Sequence, residues 1–304
     1  MVERATLYRF IREFFYSKDV LEVSTPLLAS HTVTDTHIAS FSVGDGTSPQ
    51  YLQTSPEFAM KKLLANGAGA IYSLGPVFRQ GESGKKHNPE FAMLEWYQPG
   101  FSLEDLMKEL VELFCGLQSA FGLEPIAPVT LPYEDLFKDR FGINPHQVEM
   151  DELRSLAEKQ FPHDLQHLTI QDDGERNDLL DLLFSLGVEA DLVEPTFVTR
   201  FPASQSSLAR VIQVGDVQVS MRTELYWKGY ELANGYDELR DGFELRQRMA
   251  RDNRIRRSRG LPEIEPDTEL LKALPKMPEC AGVALGVDRL LMLLIGVDQI
   301  TDVI

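Results

Sequence analysis

The chain has 304 residues, 43% of them hydrophobic and 25% charged, with a formal net charge of −17 at pH 7. That size and apolar content suit one large packed core carrying a smaller insertion and exclude a disordered or fibrous chain, while the negative balance works against broad attraction to nucleic acid, which rests on Lys and Arg. Cys115 and Cys280 form no CxxC pair, and neither a signal sequence nor an apolar run long enough to span a bilayer is present, so a soluble protein of a reducing cytoplasm is expected.

In chain order, Leu7, Ile11, Phe14 and Phe15 recur at helical spacing, and a strand-like stretch at 20–25 is stopped by Pro26. A short strand follows at 50–54, a helix at about 56–65, a strand at 70–78, a polar glycine-containing loop, and a returning strand at 91–97. Residues 103–121 are amphipathic and helical. From about 128 to 191 the pattern changes to helical pieces, including 150–160 and 178–186, joined by Pro, Gly and Asp; this reads as an insertion between two halves of a sheet. Strands resume at 196–201 and 210–226, and Lys228-Gly229 is a hairpin signal before a strand at 230–233. A helix at about 241–259 carries Arg246, Arg248, Arg251, Arg254, Arg256, Arg257 and Arg259, which suit either a solvated face or a docking surface for an acidic partner. Residues 282–296 pair a small-residue strand with a helix beginning near Val287. Strands joined by hairpins, with helices clustered between them, predict an antiparallel α+β sheet rather than a doubly wound one.

Three segments carry chemistry. Arg79 stands at a strand end before a basic loop, Gly81-Glu82-Ser83-Gly84-Lys85-Lys86-His87-Asn88, and a planar guanidinium there suits an α-phosphate. An arginine paired with Glu82 in a surface turn would look the same. Around Lys228-Gly229, Tyr226 should face Glu231, leaving Glu224 diagonal to Glu231 at roughly 7–8 Å between backbones, close enough for two carboxylates to share Mg2+. An exposed acidic pair is the alternative. Finally, Gly282-Val283-Ala284-Leu285-Gly286-Val287-Asp288-Arg289 is a small-residue strand entering a helix, against which a flat nucleotide could lie, or a core strand capped by an ion-paired arginine.

These segments, in this order across about residues 2–304, resemble the motifs of class II aminoacyl-tRNA synthetases, and most closely the catalytic domain of lysyl-tRNA synthetase. His87-Asn88-Pro89-Glu90-Phe91, Pro195-Thr196-Phe197-Val198 and Glu231-Leu232-Ala233-Asn234-Gly235 followed by Glu238-Leu239 support the match. The resemblance implies an antiparallel sheet flanked by helices, ATP and Mg2+ as cofactors, and the following roles. Arg79 contacts the ATP α-phosphate and Arg289 the γ-phosphate. Gly81, Glu82, His87, Asn88, Leu232 and Gly286 line the nucleotide, and Phe91 stacks on adenine. Glu224 and Glu231 bind metal. Ser55-Pro56-Glu57 holds the substrate amino group, and Tyr97, Asn234 and Glu238 make the remaining contacts to a lysine-like substrate, whose terminal ammonium needs a charge partner once desolvated. The family pattern usually has Glu where this chain has Gly81, with Glu82 adjacent. A homodimer is also implied, with the first helix and the strand before Pro26 building the interface.

The chain begins at the first catalytic helix, with no anticodon-binding domain ahead of it, so tRNA is not an expected partner. The segment 201–209 (Phe-Pro-Ala-Ser-Gln-Ser-Ser-Leu-Ala) lacks the acidic and proline positions usual in the synthetase, and Ala284 stands where the synthetase commonly has Gly. Both departures resemble a paralogous branch that attaches (R)-β-lysine to a lysine side chain of translation elongation factor P. The expected mechanism is adenylation followed by transfer, with positioning and charge neutralisation and no protein nucleophile. A trimmed synthetase that charges tRNA and a non-catalytic regulatory subunit are the alternatives.

Overall fold

The computed structural model describes residues 1–44, 49–165 and 173–304. In chain order the elements are α1 (Val2–Ser17), β1 (Leu21–Glu22), β2 (Leu28–Ala29), β3 (Ser42–Val43), β4 (Gln50–Leu52), α2 (Glu57–Ala65), β5 (Ile71–Phe78), β6 (Glu90–Pro99) and α3 (Leu103–Ala120). Next come β7 (Val129–Pro132), α4 (Tyr133–Phe141), α5 (Met150–Gln160), α6 (Pro162–Leu165), α7 (Glu175–Gly187) and β8 (Thr196–Pro202). The chain continues with β9 (Val211–Val214), β10 (Val217–Trp227), β11 (Tyr230–Asp237), α8 (Gly242–Ser258), α9 (Thr268–Ala273), β12 (Cys280–Gly286) and α10 (Val287–Ile295).

The large sheet runs β1-β5-β6-β12-β11-β10-β8-β7, with β9 also on β10. Its pairings are antiparallel except β1 with β5 and β7 with β8. The fold is the antiparallel α+β class read from the hairpin pattern. Two strands differ in detail. Only Leu21 and Glu22 of the expected strand at 20–25 pair, and β2 joins a separate small sheet with β4 and β3. The single strand expected at 210–226 is a hairpin, β9 and β10, turned at Gly215-Asp216, where Gly215 adopts φ +57°.

Alternation divides the sheet into two faces. Leu94, Trp96, Leu225, Ala233, Val283 and Leu285 face a core built with α1, α3 and α10. Their strand neighbours point the other way: Tyr97 pairs with Gly282 and Gly282 with Tyr236, Glu95 pairs with Ala284 and Ala284 with Asn234, and Met93 pairs with Gly286. This second face is polar yet covered, and it forms the floor of the site described below.

Leu7, Ile11 and Phe15 are fully buried in the first core, with Phe15 stacked on Tyr72 at 4.5 Å between ring centroids. The apolar stripe of α1 is therefore satisfied within the chain, and it is not the exposed interface that the dimer expectation rested on. The helices between β7 and β8 have their own core, in which Tyr133, Phe137, Leu183 and Phe184 pack on Val198, Phe201 and Tyr226 of the sheet. The arginines of α8 are largely tethered to their own chain: Arg248 donates to the Ser207 and Ala209 carbonyls, the buried Arg256 to those of Pro262 and Asp35, and Arg259, just beyond the helix, pairs with Asp178 at 2.5 Å. Among the described residues no helix is long and apolar enough to cross a membrane.

Candidate active site

Helix α2 opens at Glu57 because Pro56 cannot donate a backbone hydrogen bond and is tolerated just ahead of the first turn. Its inward positions are Met60, Lys61 and Leu64. Lys61 is fully buried, and its Nζ lies 2.6 Å from Glu57 Oε1 and 2.6 Å from Glu238 Oε2. Burial opposes the charge on Lys61, but the carboxylates of Glu238 and Glu57 outweigh it and raise the pKa, so this ammonium stays charged. Beside it the Tyr97 hydroxyl donates to Glu95 Oε1 at 2.7 Å. Burial pushes the Glu95 carboxyl up to about 8 and that of Glu238 to about 7, against the pull of Lys61. Gly282 forms the floor: a Cβ there would lie 2.4 Å from the Tyr97 ring and 2.6 Å from Glu238 Oε1.

At the other end of the cleft, Arg79 follows β5 and lies 5.2 Å from the Phe91 ring centroid, with Nη1 3.5 Å from Glu82 Oε1 and Nε donating to the Thr54 carbonyl at 3.4 Å. Gly81 adopts φ +86°, a left-handed turn that favours glycine over the glutamate usual there, and the carboxylate near Arg79 comes from Glu82 instead. Arg289, in the first turn of α10, donates to the carbonyls of Lys86 and Glu231 at 3.2 and 3.0 Å. Next to it, Asp288 accepts from the Ala92 amide and pairs with Arg4, tying α10 to β6 and α1. Burial, then the charge of Arg289, lowers the pKa of His87 and favours the neutral imidazole.

The β10–β11 hairpin turns at Lys228 and Gly229, φ +52° and +72°, the paired positive values that match the twist of the strands. Tyr226 faces Glu231 as expected, but a bulge at Leu225/Tyr226 pairs Glu224 with Asn234 rather than Ala233. The extra residue on β11 brings Glu231 and Asn234, three positions apart, to the same face. Glu224 is held by Arg222 and accepts from the Tyr226 hydroxyl at 2.5 Å. Burial raises its pKa, and the nearby Glu231 raises it further while Arg222 lowers it.

One cavity of about 1130 Å³ joins these parts. That exceeds the roughly 300–1,000 Å³ of single small-molecule pockets and gives room for a nucleotide beside an amino acid. It is lined by Ser55, Glu57, Tyr97, Asn234, Glu238 and Ala284 at the acidic end and by Arg79, Glu82, His87, Asn88, Phe91, Glu231, Leu232, Gly286 and Arg289 elsewhere. Pro56, Gly81 and Glu224, also singled out from the sequence, do not line it. The sequence reading missed Glu95 and Lys61. Glu95 was legible as a strand neighbour two positions from Tyr97, on the same face. Lys61 was legible as the one charge among the inward positions Met60, Lys61 and Leu64, one turn after Glu57. Asn234 Oδ1 and Glu95 Oε2 are buried without a hydrogen-bond partner among the described residues, as acceptors awaiting a ligand's donors would be.

The arginine-lined end and the acidic end of this cavity lie on one antiparallel sheet, and a model of the class II tRNA synthetases (D, K and N) matches residues 1–304. The chain belongs to this family. Among class II synthetase relatives it is 45% identical over 313 residues to a protein of Enterobacter sp. (strain 638) named elongation factor P–(R)-β-lysine ligase. It is 46% identical to proteins of the same name from Photorhabdus laumondii and Proteus mirabilis. Each alignment covers 100% of this chain and 93% of the relative.

Proposed function

We propose that this class II synthetase relative uses ATP to activate (R)-β-lysine as an adenylate and transfers the β-lysyl group to a lysine side chain of elongation factor P. The observation that carries the reading is the convergence of Glu57, Glu95 and Glu238 at one end of a cavity whose other end holds Arg79 and Arg289. A diamino acid supplies two ammonium groups for the acidic end, and its carboxylate then points toward the arginines. The full-length similarity to named β-lysine ligases supports the acceptor.

The residues fit ATP: two guanidiniums tethered through part of their donors to backbone carbonyls, an aromatic ring at Phe91, and the small residues Ala284 and Gly286 on β12. In the first step the substrate carboxylate oxygen forms a bond to the α-phosphorus, and the bond to pyrophosphate breaks. Arg79 and Arg289 hold the phosphates and neutralise their growing charge. In the second step the acceptor amine forms an amide with the acyl carbon, AMP departs, and the amine gives up a proton. Glu231, facing the cavity, and Glu224, buried behind it on the neighbouring strand, would hold Mg2+, which when bound would offset the negative charge of the phosphates. Crowding of two acids where burial already raises one pKa supports this pair, since a cation relieves both costs. Such an enzyme works in the cytoplasm, alongside translation. A homodimer is supported by exposed Leu21, Leu27, Leu28 and Val43 near Pro26.

The test is pyrophosphate exchange with (R)-β-lysine, followed by transfer to purified elongation factor P and, in parallel, to tRNA. Exchange and protein labelling without tRNA charging are expected. Charging of tRNA with no protein labelling would overturn the acceptor, and absence of β-lysine-dependent exchange would overturn the activity.

A further inference from the structure

Lys61 has no part in the reaction outlined above, yet it lies fully buried behind the acidic end of the cavity, against two of its carboxylates. A fully buried ammonium is costly unless it is paired, and this one is paired twice. Its partners come from opposite sides of the cleft. Glu57 lies one turn earlier on α2, with 15% of its side chain exposed; Glu238 follows β11 in the sheet floor, with 1% exposed. Each presents one oxygen to Lys61, Oε1 of Glu57 and Oε2 of Glu238. The other oxygen of Glu238, Oε1, lies over Gly282 in the cavity floor.

Among the described residues, the charged and titratable groups facing this cluster include Glu57 from α2, Glu95 and Tyr97 from β6, Tyr236, Asp237 and Glu238 at the end of β11, Arg240 just beyond it, and Cys280 from β12. Asp237 is already paired with Arg210 at 2.5 Å. The acidic end of the cavity thus sets three carboxyls, Glu57, Glu95 and Glu238, against the one buried cation Lys61, and once all three are ionised, as pairing with a substrate requires, the difference is two negative charges.

We propose that Lys61 is a positioning residue for the amino acid: its ammonium cross-links Glu57 to Glu238, turns one oxygen of each toward the substrate, and offsets one of three acidic charges, so that a substrate bearing two ammonium groups completes the balance. The proposal rests on the amino-acid reading of this pocket given above. It separates two properties of the site. Glu57, Glu95 and Glu238 touch the substrate; Lys61 acts through them. The nucleotide end, at Arg79 and Arg289, lies outside its reach.

The test compares wild type with Lys61→Met and Lys61→Gln by β-lysine-dependent pyrophosphate exchange across pH, with thermal melting as the check of fold. Removing an opposite charge at this distance raises a carboxyl pKa by about 1–3. The acid limb of kcat/KM for β-lysine should therefore move to higher pH in both variants. At neutral pH, KM for β-lysine should rise on the order of tenfold or more, since raising a carboxyl pKa by one cuts its ionised fraction about tenfold once the pKa lies above the working pH, while KM for ATP stays unchanged. A merely structural role would lower activity without moving the limb, and that result overturns the proposal. An equal rise in KM for ATP overturns it too. Loss of fold in both variants would also overturn it, because Lys61 would then be a requirement of the core rather than of the pocket. Absence of exchange by the wild type defeats the amino-acid reading itself, a different outcome from a variant whose acid limb stays in place.

Discussion

Adding one methyl group at Gly282 tests the amino-acid end of the site most directly. The backbone there is compatible with alanine, so the effect of Gly282→Ala is steric. The new Cβ would meet the Tyr97 ring at 2.4 Å and Glu238 Oε1 at 2.6 Å, against ordinary contact from 3.4 Å, so something must move by about 1 Å. Neither neighbour is loose. Tyr97 is 2% exposed with its hydroxyl on Glu95, and Glu238 is 2% exposed and held by Lys61. Overpacking of this kind costs about 1–3 kcal/mol, which at about 2–4 °C per kcal/mol or less for a chain of this size lowers Tm by a few degrees. The functional effect is larger, because a misplacement of about 1 Å at a substrate contact costs on the order of a hundredfold in rate. Pyrophosphate exchange should show kcat/KM for β-lysine reduced about a hundredfold, with KM for ATP within about twofold of wild type. A folded Gly282→Ala enzyme with wild-type kinetics for β-lysine would refute the placement of the amino acid between Tyr97 and Glu238.

Ala284 sits between Glu95 and Asn234 on the cavity floor. Ala284→Gly should raise kcat/KM for α-lysine relative to β-lysine by up to about 10–200-fold, the worth of one methyl in a close-fitting pocket; an unchanged ratio moves the determinant to Ser204-Gln205. In the free enzyme Glu238 and Glu95 carry carboxyl pKa values of about 7 and about 8, both raised by burial. Only the ionised forms, present above those values, pair with substrate ammonium, so kcat/KM for β-lysine should fall as pH drops through 8 and 7, and a profile flat down to pH 5 would contradict it. Because these acids hold protons more tightly folded than unfolded, they also make the empty protein progressively less stable as pH rises from their ordinary carboxyl value of 4.5 to about 7 and about 8, which melting without substrate would read. Glu231→Gln should abolish exchange while leaving Tm close to wild type, and magnesium titration should show no recovery. Light scattering at micromolar concentration should give twice the chain mass; a monomer would refute the dimer.

Periodicity, turn residues and motif order determined much of this protein from its sequence. The hairpin at Lys228-Gly229 follows from two residues able to take positive φ. The helix after Pro56 and the strand entering a helix at Gly286-Val287 follow from local propensity. The arginines and acids were visible because their chemistry is local to each residue. What sequence could not determine is which side chains meet. The β11 bulge that puts Glu231 and Asn234 on one face breaks the alternation on which any reading of a strand depends. Whether the α1 stripe of Leu7, Ile11 and Phe15 seeks a partner or its own core was decided by α3, α10 and the sheet closing over it. The arginines of α8 and Arg259 just beyond it read as a surface, yet Arg248, Arg256 and Arg259 are bound to the carbonyls of Ser207, Ala209 and Asp35 and the carboxylate of Asp178, all far away in the chain. Lys61 is the clearest case. Its place on the buried side of α2 could be read from spacing, but its second partner, Glu238, is 177 positions away. Only the packing of that helix against the sheet brings the two within 2.6 Å, because a buried charge is tolerated where tertiary structure supplies its counter-charge.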